Sequence, residues 1–218
     1  MGLEVREIKK KYGRKVVLDG VSLSVEEGKC VGLLGGNGSG KSTLLSILAG
    51  MTKADGGTFE FSVGGREGKV GYVPQGTPLI PELSARDNLL LWYDKKRLQE
   101  ELADGVLKTL GIADFLKVPV RKMSGGMKKR LSIGCAVSEK PEILLMDEPT
   151  AALDLACKNA IYDYMSSFRA QGGLILLATH DIHEIELCDS CYLLKGGKVQ
   201  DYKYDGDLKK LAGAICDI

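Results

Sequence analysis

"KCVGLLGGNGSGKST" occupies residues 29–43, and its two halves obey different rules. The first half is a continuous apolar run, the mark of a strand buried on both faces. The second fits G-x-x-x-x-G-K-[ST] from Gly35 to Ser42. A buried strand before that pattern and a helix after it are the setting it requires. Its glycines let backbone N–H groups wrap a phosphate, Lys41 adds a point charge, and Ser42 offers an oxygen to magnesium.

Similar buried runs recur at "KVGYV" (69–73), "EILLMD" (142–147), "LILLAT" (174–179) and "CYLLK" (191–195). Helical patterns fall between them, at 42–49 and at 155–168, where Ile161, Met165 and Phe168 share one face. A short helix should follow Asp181, with Glu184 three residues on as in a capping box. The alternation predicts an α/β fold whose core holds a mainly parallel sheet. "LEVREI", "VSLSVEE" and "TFEFSV" alternate apolar and polar residues between glycine turns, which predicts an N-terminal antiparallel side sheet. Residues 77–138 are expected to be helical throughout, with a Ser84 cap opening "SARDNLLLWY" and with Leu98, Leu102, Val106 and Leu110 on one stripe before Gly111. The expected organisation is one domain over residues 1–218, with a helical subdomain at about 77–138 inserted into the sheet core.

Composition narrows the function. Of 218 residues, 44% are hydrophobic and 27% charged, enough to bury a core, and the formal net charge of +1 gives no general pull toward nucleic acid. Basic clusters at 9–11, 95–97 and 128–130 read most simply as solvated faces. The start, "MGLEVREIKKKYG", has no apolar h-region, and no run approaches the ~20 residues that span a bilayer. Six cysteines are scattered at 30, 135, 157, 188, 191 and 216. Cys30 and Cys135 sit in apolar segments and suit reduced, buried thiols. Cys188 and Cys191 form a C-x-x-C with His180 and His183 nearby, a pattern open to a metal or redox role, but no second pair completes a zinc set and the simpler reading is half-buried helix-end and strand residues.

The residues that carry chemistry cluster at predicted strand ends. Asp147 ends a buried strand, where an acid is costly unless it serves a cation such as magnesium. Glu148 follows, placed to polarise an attacking water. His180 ends another strand that should open on the same crevice, within reach of a γ-phosphate. Gln75 ends a third, where the helical segment begins. "RKMSGGMKKR" (121–130) then supplies a second anion site: Ser124 can cap a helix whose first residues are Gly125 and Gly126. One small chain with two such sites needs an explanation.

In order along nearly the whole chain, these residues resemble the ATP-binding cassette ATPases. Tyr12 stands where the family has its adenine-stacking aromatic. Gly35, Asn37, Gly38, Ser39, Gly40, Lys41, Ser42 and Thr43 match its Walker A loop. Gln75 matches the Q-loop, "MSGGM" the signature, "ILLMDE" the Walker B strand, Asp154 in "AALD" the D-loop, and His180 the switch histidine. The resemblance implies a magnesium-dependent ATPase with ATP and Mg2+ as cofactors, the cation being held by Ser42, Gln75 and Asp147. Lys41, Glu148 and His180 are its implied catalytic residues. It implies a head-to-tail dimer with a second copy or a related subunit, in which Ser124, Gly125 and Gly126 bind the nucleotide held by the partner. It further implies a separately encoded membrane permease and a cytoplasmic place on the inner face of the membrane.

The chain departs from the family pattern in its signature, where Met123 and Met127 replace the usual Leu and Gln, and in a short stretch between Lys41 and Gln75. No appended regulatory domain is expected. A GTPase switch would show N-K-x-D, yet none of Asn37, Asn88 and Asn159 is followed by Lys. A non-transport cassette acting on nucleic acid or ribosomes is the alternative. Such relatives usually carry two cassettes, a coiled-coil insertion or zinc modules. "SGGMKKR" in a compact chain looks more like exporter-type than importer subunits. Tyr12 is the only candidate for holding the base, and stacking tolerates base identity. GTP should therefore be hydrolysed with a kcat/KM within about tenfold of ATP, a gap of ~1.4 kcal/mol; a much larger preference would reveal a base-edge contact elsewhere.

Overall fold

A computed structural model describes residues 2–215; Cys216 lies outside the described residues. The chain opens with β1 (Leu3–Tyr12) and β2 (Lys15–Val25), then β3 (Cys30–Leu34), which runs into the phosphate loop and α1 (Lys41–Leu48). After these come β4 (Gly56–Val63), β5 (Arg66–Glu67) and β6 (Val70–Val73). Between β6 and the next strand lie α2 (Ala85–Leu89), α3 (Lys95–Asp104), α4 (Val106–Thr109), two 3-10 turns and α5 (Gly125–Ala136). The remainder is β7 (Ile143–Asp147), α6 (Leu155–Ala170), β8 (Leu174–Ala178), α7 (Ile182–Glu186), β9 (Ser190–Lys195), β10 (Lys198–Tyr202) and α8 (Leu208–Ile215).

Two sheets result. The smaller has the order β2-β1-β4-β5 and its strands pair antiparallel, as the alternating N-terminal runs predict. The larger has the order β10-β9-β3-β8-β7-β6, parallel except for the β9–β10 hairpin. Every residue of β3, β7 and β8 is buried, which is why these strands read as unbroken apolar runs. Their side chains still alternate between two cores. Leu144, Met146, Ile175 and Leu177 pack with Leu89, Leu107, Ile133 and Ile161 on one face. Leu145, Leu176 and Leu33 pack with Leu44, Leu48 and Val21 on the other. Because β3, β6, β7 and β8 run the same way, their carboxyl ends share one edge of the sheet.

The segment after β6 differs from the expectation of helix throughout. Residues 77–83 carry no helix, and the helix expected from Lys95 to Gly111 breaks at Gly105, whose φ of −111° and ψ of −160° are extended. The Glu101 carboxylate accepts the Val106 N–H at 3.0 Å and caps the new start. Leu107 therefore enters the core with Leu98 and Leu110, while Leu102 and Val106 stay half-buried. The Ser84 cap forms as predicted, its hydroxyl accepting the Asp87 N–H. Among the described residues no helix is long and apolar enough to cross a membrane.

The non-helical approach to α2 is held by one side chain. Asn88 is buried; its Oδ1 accepts the Ile80 N–H at 2.9 Å, and its Nδ2 donates to the carbonyls of Ile80 and Ser84. Asn88→Ala strands those backbone groups and should cost about 2 kcal/mol in urea unfolding. A loss within about 0.5 kcal/mol, ordinary for a surface change, would show that the clasp does not hold this segment.

Candidate functional site

The phosphate loop is shaped by backbone conformations that side chains resist. Gly35 has φ +153°, and a Cβ there would stand 2.6 Å from the Leu194 carbonyl oxygen and 2.7 Å from Ser39 Oγ. Gly38 has φ +75°. Lys41, the first residue of α1, is 6% exposed, and its Nζ donates to the carbonyls of Gly35 (2.7 Å) and Gly36 (3.2 Å). Burial pushes its pKa down, against the pull of Glu148 and Asp147. Ser39 Oγ is buried with no hydrogen-bond partner, and Ser42 lies exposed.

Asp147, the last residue of β7, is 2% exposed. Burial raises its pKa, and the nearby Ser42 hydroxyl opposes that rise. Ser42 and Asp147 are therefore neighbours. Next in the chain, Glu148 adopts φ +46°, a left-handed conformation uncommon for a side-chain-bearing residue. Its N–H donates to the Ala178 carbonyl on β8 at 2.9 Å, which turns the side chain out of the strand run. Gln75 Nε2 donates to Glu148 Oε2 at 2.9 Å, and His180 Nδ1 lies 3.2 Å from Glu148 Oε1. The Glu148 and His180 strand ends open on one crevice as expected, and Gln75 joins them there.

Tyr12 ends β1 on the hairpin with Lys15, 53% exposed, with the Lys10 ammonium 5.3 Å from its ring centroid. The same hairpin reaches the phosphate loop, for a Cβ on Gly40 would lie 3.1 Å from Val17 Cγ1. Ser124, Gly125, Gly126 and Asp154 form a separate group on α5 and α6. Ser124 Oγ accepts the Met127 N–H at 3.2 Å, and Asp154 caps α6 by accepting from Cys157 N–H at 2.9 Å. A Cβ on Gly126 would meet Cys157 Sγ at 2.2 Å, so this glycine lets the two helix starts touch. Ser124 and Gly125 are exposed, as is Leu155 beside Asp154.

Three features depart from the sequence reading. Lys129, assigned to a solvated basic face, is 5% exposed, and its Nζ donates to the carbonyls of Pro74 (2.9 Å) and Gln75 (2.8 Å). It joins the helix that starts at Ser124 to the loop whose Gln75 holds Glu148. Its spacing of three from Gly126 and from Ser132, both buried, is the helical signal that marks it. Arg130 likewise bonds the Leu110 carbonyl and stacks over Phe115, with its guanidinium carbon 5.0 Å from the ring centroid. Finally, Glu184 forms no capping box. It turns inward to accept from Thr150 Oγ1 at 2.6 Å, 1% exposed, because Asp181 caps α7 alone through the His183 N–H. Glu184 thereby ties α7 to the loop just after Glu148.

Comparison with known proteins agrees with this geometry. A family model described as ABC transporter matches residues 18–151. The linearmycin resistance ATP-binding protein LnrL of Bacillus subtilis is 36% identical over 211 residues, covering 90% of this chain and 67% of the relative. The Nod factor export ATP-binding protein I of Ralstonia nicotianae is 36% identical over 208 residues, covering 90% and 65%. The chain thus spans about two thirds of the length of these relatives. Among solved structures, an ATP-binding subunit of an ABC transporter superposes with a TM-score of 0.82 at 27% identity, covering 99% of this chain and 95% of that one. A dimeric ATP-binding cassette bound to ADP and Pi in a post-hydrolysis state gives 0.81 at 26% identity, covering 94% and 100%. The chain belongs to the ABC transporter family as its ATP-binding cassette, the ATPase subunit that energises transport.

Proposed function

We propose that this chain powers an export-type transporter through ATP-driven head-to-tail pairing, each ATP lying between the phosphate loop of one copy and the Ser124–Gly125–Gly126 helix start of the other. One observation carries the reading. Lys41, Ser42, Asp147, Gln75, Glu148 and His180 meet at one edge of the sheet, whereas Ser124 and Gly125 are exposed on a different element. The α5 N-terminus presents two glycine amides and the positive end of a helix dipole, which is half of an anion site. A partner's nucleotide supplies the other half.

Within one copy, the loop amides and Lys41 hold the phosphates, and the unpartnered Ser39 hydroxyl fits a phosphate oxygen. Among the described residues no cluster of three or more His, Cys, Asp or Glu is placed to hold a metal. A sparser set, Ser42 Oγ, Asp147 and the Gln75 amide oxygen, would hold magnesium, which would neutralise phosphate charge. Gln75 and His180 fix the Glu148 carboxylate from both sides, so that it accepts a proton from the attacking water. His180 keeps Nε2 for the γ-phosphate. Hydrolysis then removes the group that both copies share.

The second partner is a membrane permease, which keeps the chain on the inner face of the membrane. Ile80, Leu91 and Trp92 are exposed, and Asn88 bonds Ile80 while its carbonyl accepts from Leu91 N–H. Such an apolar group next to the Gln75 loop suits a protein partner and links its movement to Glu148.

Glu148→Gln keeps the side chain's size and removes its basicity. Phosphate release at saturating MgATP should fall by ~10² or more, and a fall of less than tenfold would remove Glu148 from the role of base. The shared site has its own test. Lys41→Ala and Ser124→Arg are each expected to be inactive, yet a mixture pairs the intact phosphate loop of one with the intact signature helix of the other. With wild type shown to turn over alone and both variants shown to be folded, mixing should restore up to roughly a quarter of wild-type activity if sites act independently. No activity in any mixture means that the signature helix does not serve the partner's nucleotide.

A further inference from the structure

The C-x-x-C of Cys188 and Cys191 has no part in nucleotide chemistry, yet the fold gives it an unusual setting. Cys191 on β9 sits directly across from Gly32 on β3. A Cβ on Gly32 would stand 2.8 Å from Cys191 Sγ and 3.2 Å from Cys188 Sγ, so both sulfurs converge on the bare backbone of one glycine. The Cys188 thiol donates to the Glu184 carbonyl at 3.2 Å, which fixes its sulfur at the end of α7. Cys30 adds a third thiol, its Sγ 3.7 Å from Cys188 Sγ. Asp189, between the two cysteines, pins the turn by accepting from the Cys30 N–H at 2.9 Å and from Arg169 at 2.7 Å.

We propose that Cys188 and Cys191 are an oxidisable dithiol on which a peroxide builds an intramolecular disulfide. Their contact with each other holds Cys191 below the usual thiol range and pushes Cys188 up, and because both sulfurs lie against the bare Gly32 backbone, each is within reach of the other once one is oxidised. The Cys191 sulfur attacks one peroxide oxygen, the O–O bond breaks, and hydroxide leaves, taking up the proton lost by Cys191 to become water. Cys191 is then a sulfenic acid. The Cys188 sulfur attacks that sulfur, the S–S bond forms, the S–O bond breaks, and the oxygen leaves as a second water with the Cys188 proton. Two thiols lose two electrons and two protons, and the peroxide becomes two waters. Half-buried Cys188 marks the way in, whereas Cys135 is buried, its thiol pushed up to about 12 by that burial. The bond would lock the end of α7, which begins two residues after His180, to the strand beside β3.

The test is to treat the reduced full-length protein with hydrogen peroxide, block the remaining thiols with iodoacetamide, and map the unreduced tryptic peptides by mass spectrometry. Cys188 and Cys191 share peptide 170–195, and Cys30 lies on peptide 30–41. The expected result is peptide 170–195 lighter by two hydrogens and resistant to alkylation, a change reversed by dithiothreitol. It should persist in Cys30→Ser and be lost in Cys191→Ser. Full alkylation of both cysteines after a peroxide excess overturns the proposal. So does a crosslink between peptides 30–41 and 170–195, or one between two chains. Wild-type mapping decides the matter even if a serine variant fails to fold.

Discussion

Two opposite charges buried at one edge of the sheet, Lys41 at the start of α1 and Asp147 at the end of β7, set the terms for the rest of the molecule. Lys41 and Asp147 are 6% and 2% exposed, and removing each ion from water costs several kcal/mol. Only a fold with parallel strands ending at one edge brings the loop after β3 and the end of β7 close enough to offset that cost. Lys41 is steadied by the Gly35 and Gly36 carbonyls and Asp147 by Ser42, yet burial still shifts both pKa values toward the neutral forms. Phosphates and a divalent cation suit such a site, because their charges complete it.

Around this pair the chain spends further polar groups on position. Glu148 holds a left-handed backbone between a bond to β8 and side-chain contacts from Gln75 and His180. Strain of this kind persists where surroundings over-determine it. The surroundings here include Glu184 on Thr150 and Lys129 on the Gln75 loop. Through Lys129, the helix proposed to read the partner's nucleotide is bonded to the loop that holds this copy's Glu148, so the two proposed half-sites are mechanically joined.

The sheet was largely legible in the sequence because its central strands are buried on both faces and leave unbroken apolar runs, and because the phosphate loop marks where one of them ends. The nearness of Ser42 to Asp147 and of His180 to Glu148 followed from that, whereas Gln75 was marked only by the family resemblance. What stayed hidden were side chains whose direction depends on tertiary contacts. Glu184 has the spacing of a cap but finds Thr150. Lys129 looks like one of a charged run but meets two carbonyls that its own helix does not carry. Gly105 looks like a tolerated glycine inside one stripe until Glu101 caps a new helix there. The roles of Tyr12, Ser124 and Asp154 rest on a partner and a nucleotide, which a single strand pattern does not encode.

The central claim is that ATP joins two copies and hydrolysis parts them. Sedimentation velocity of Glu148→Gln at saturating MgATP and again with MgADP measures this directly. The account predicts a dimer with ATP and a monomer with ADP. A variant that binds ATP and sediments as a monomer at high protein concentration would contradict it.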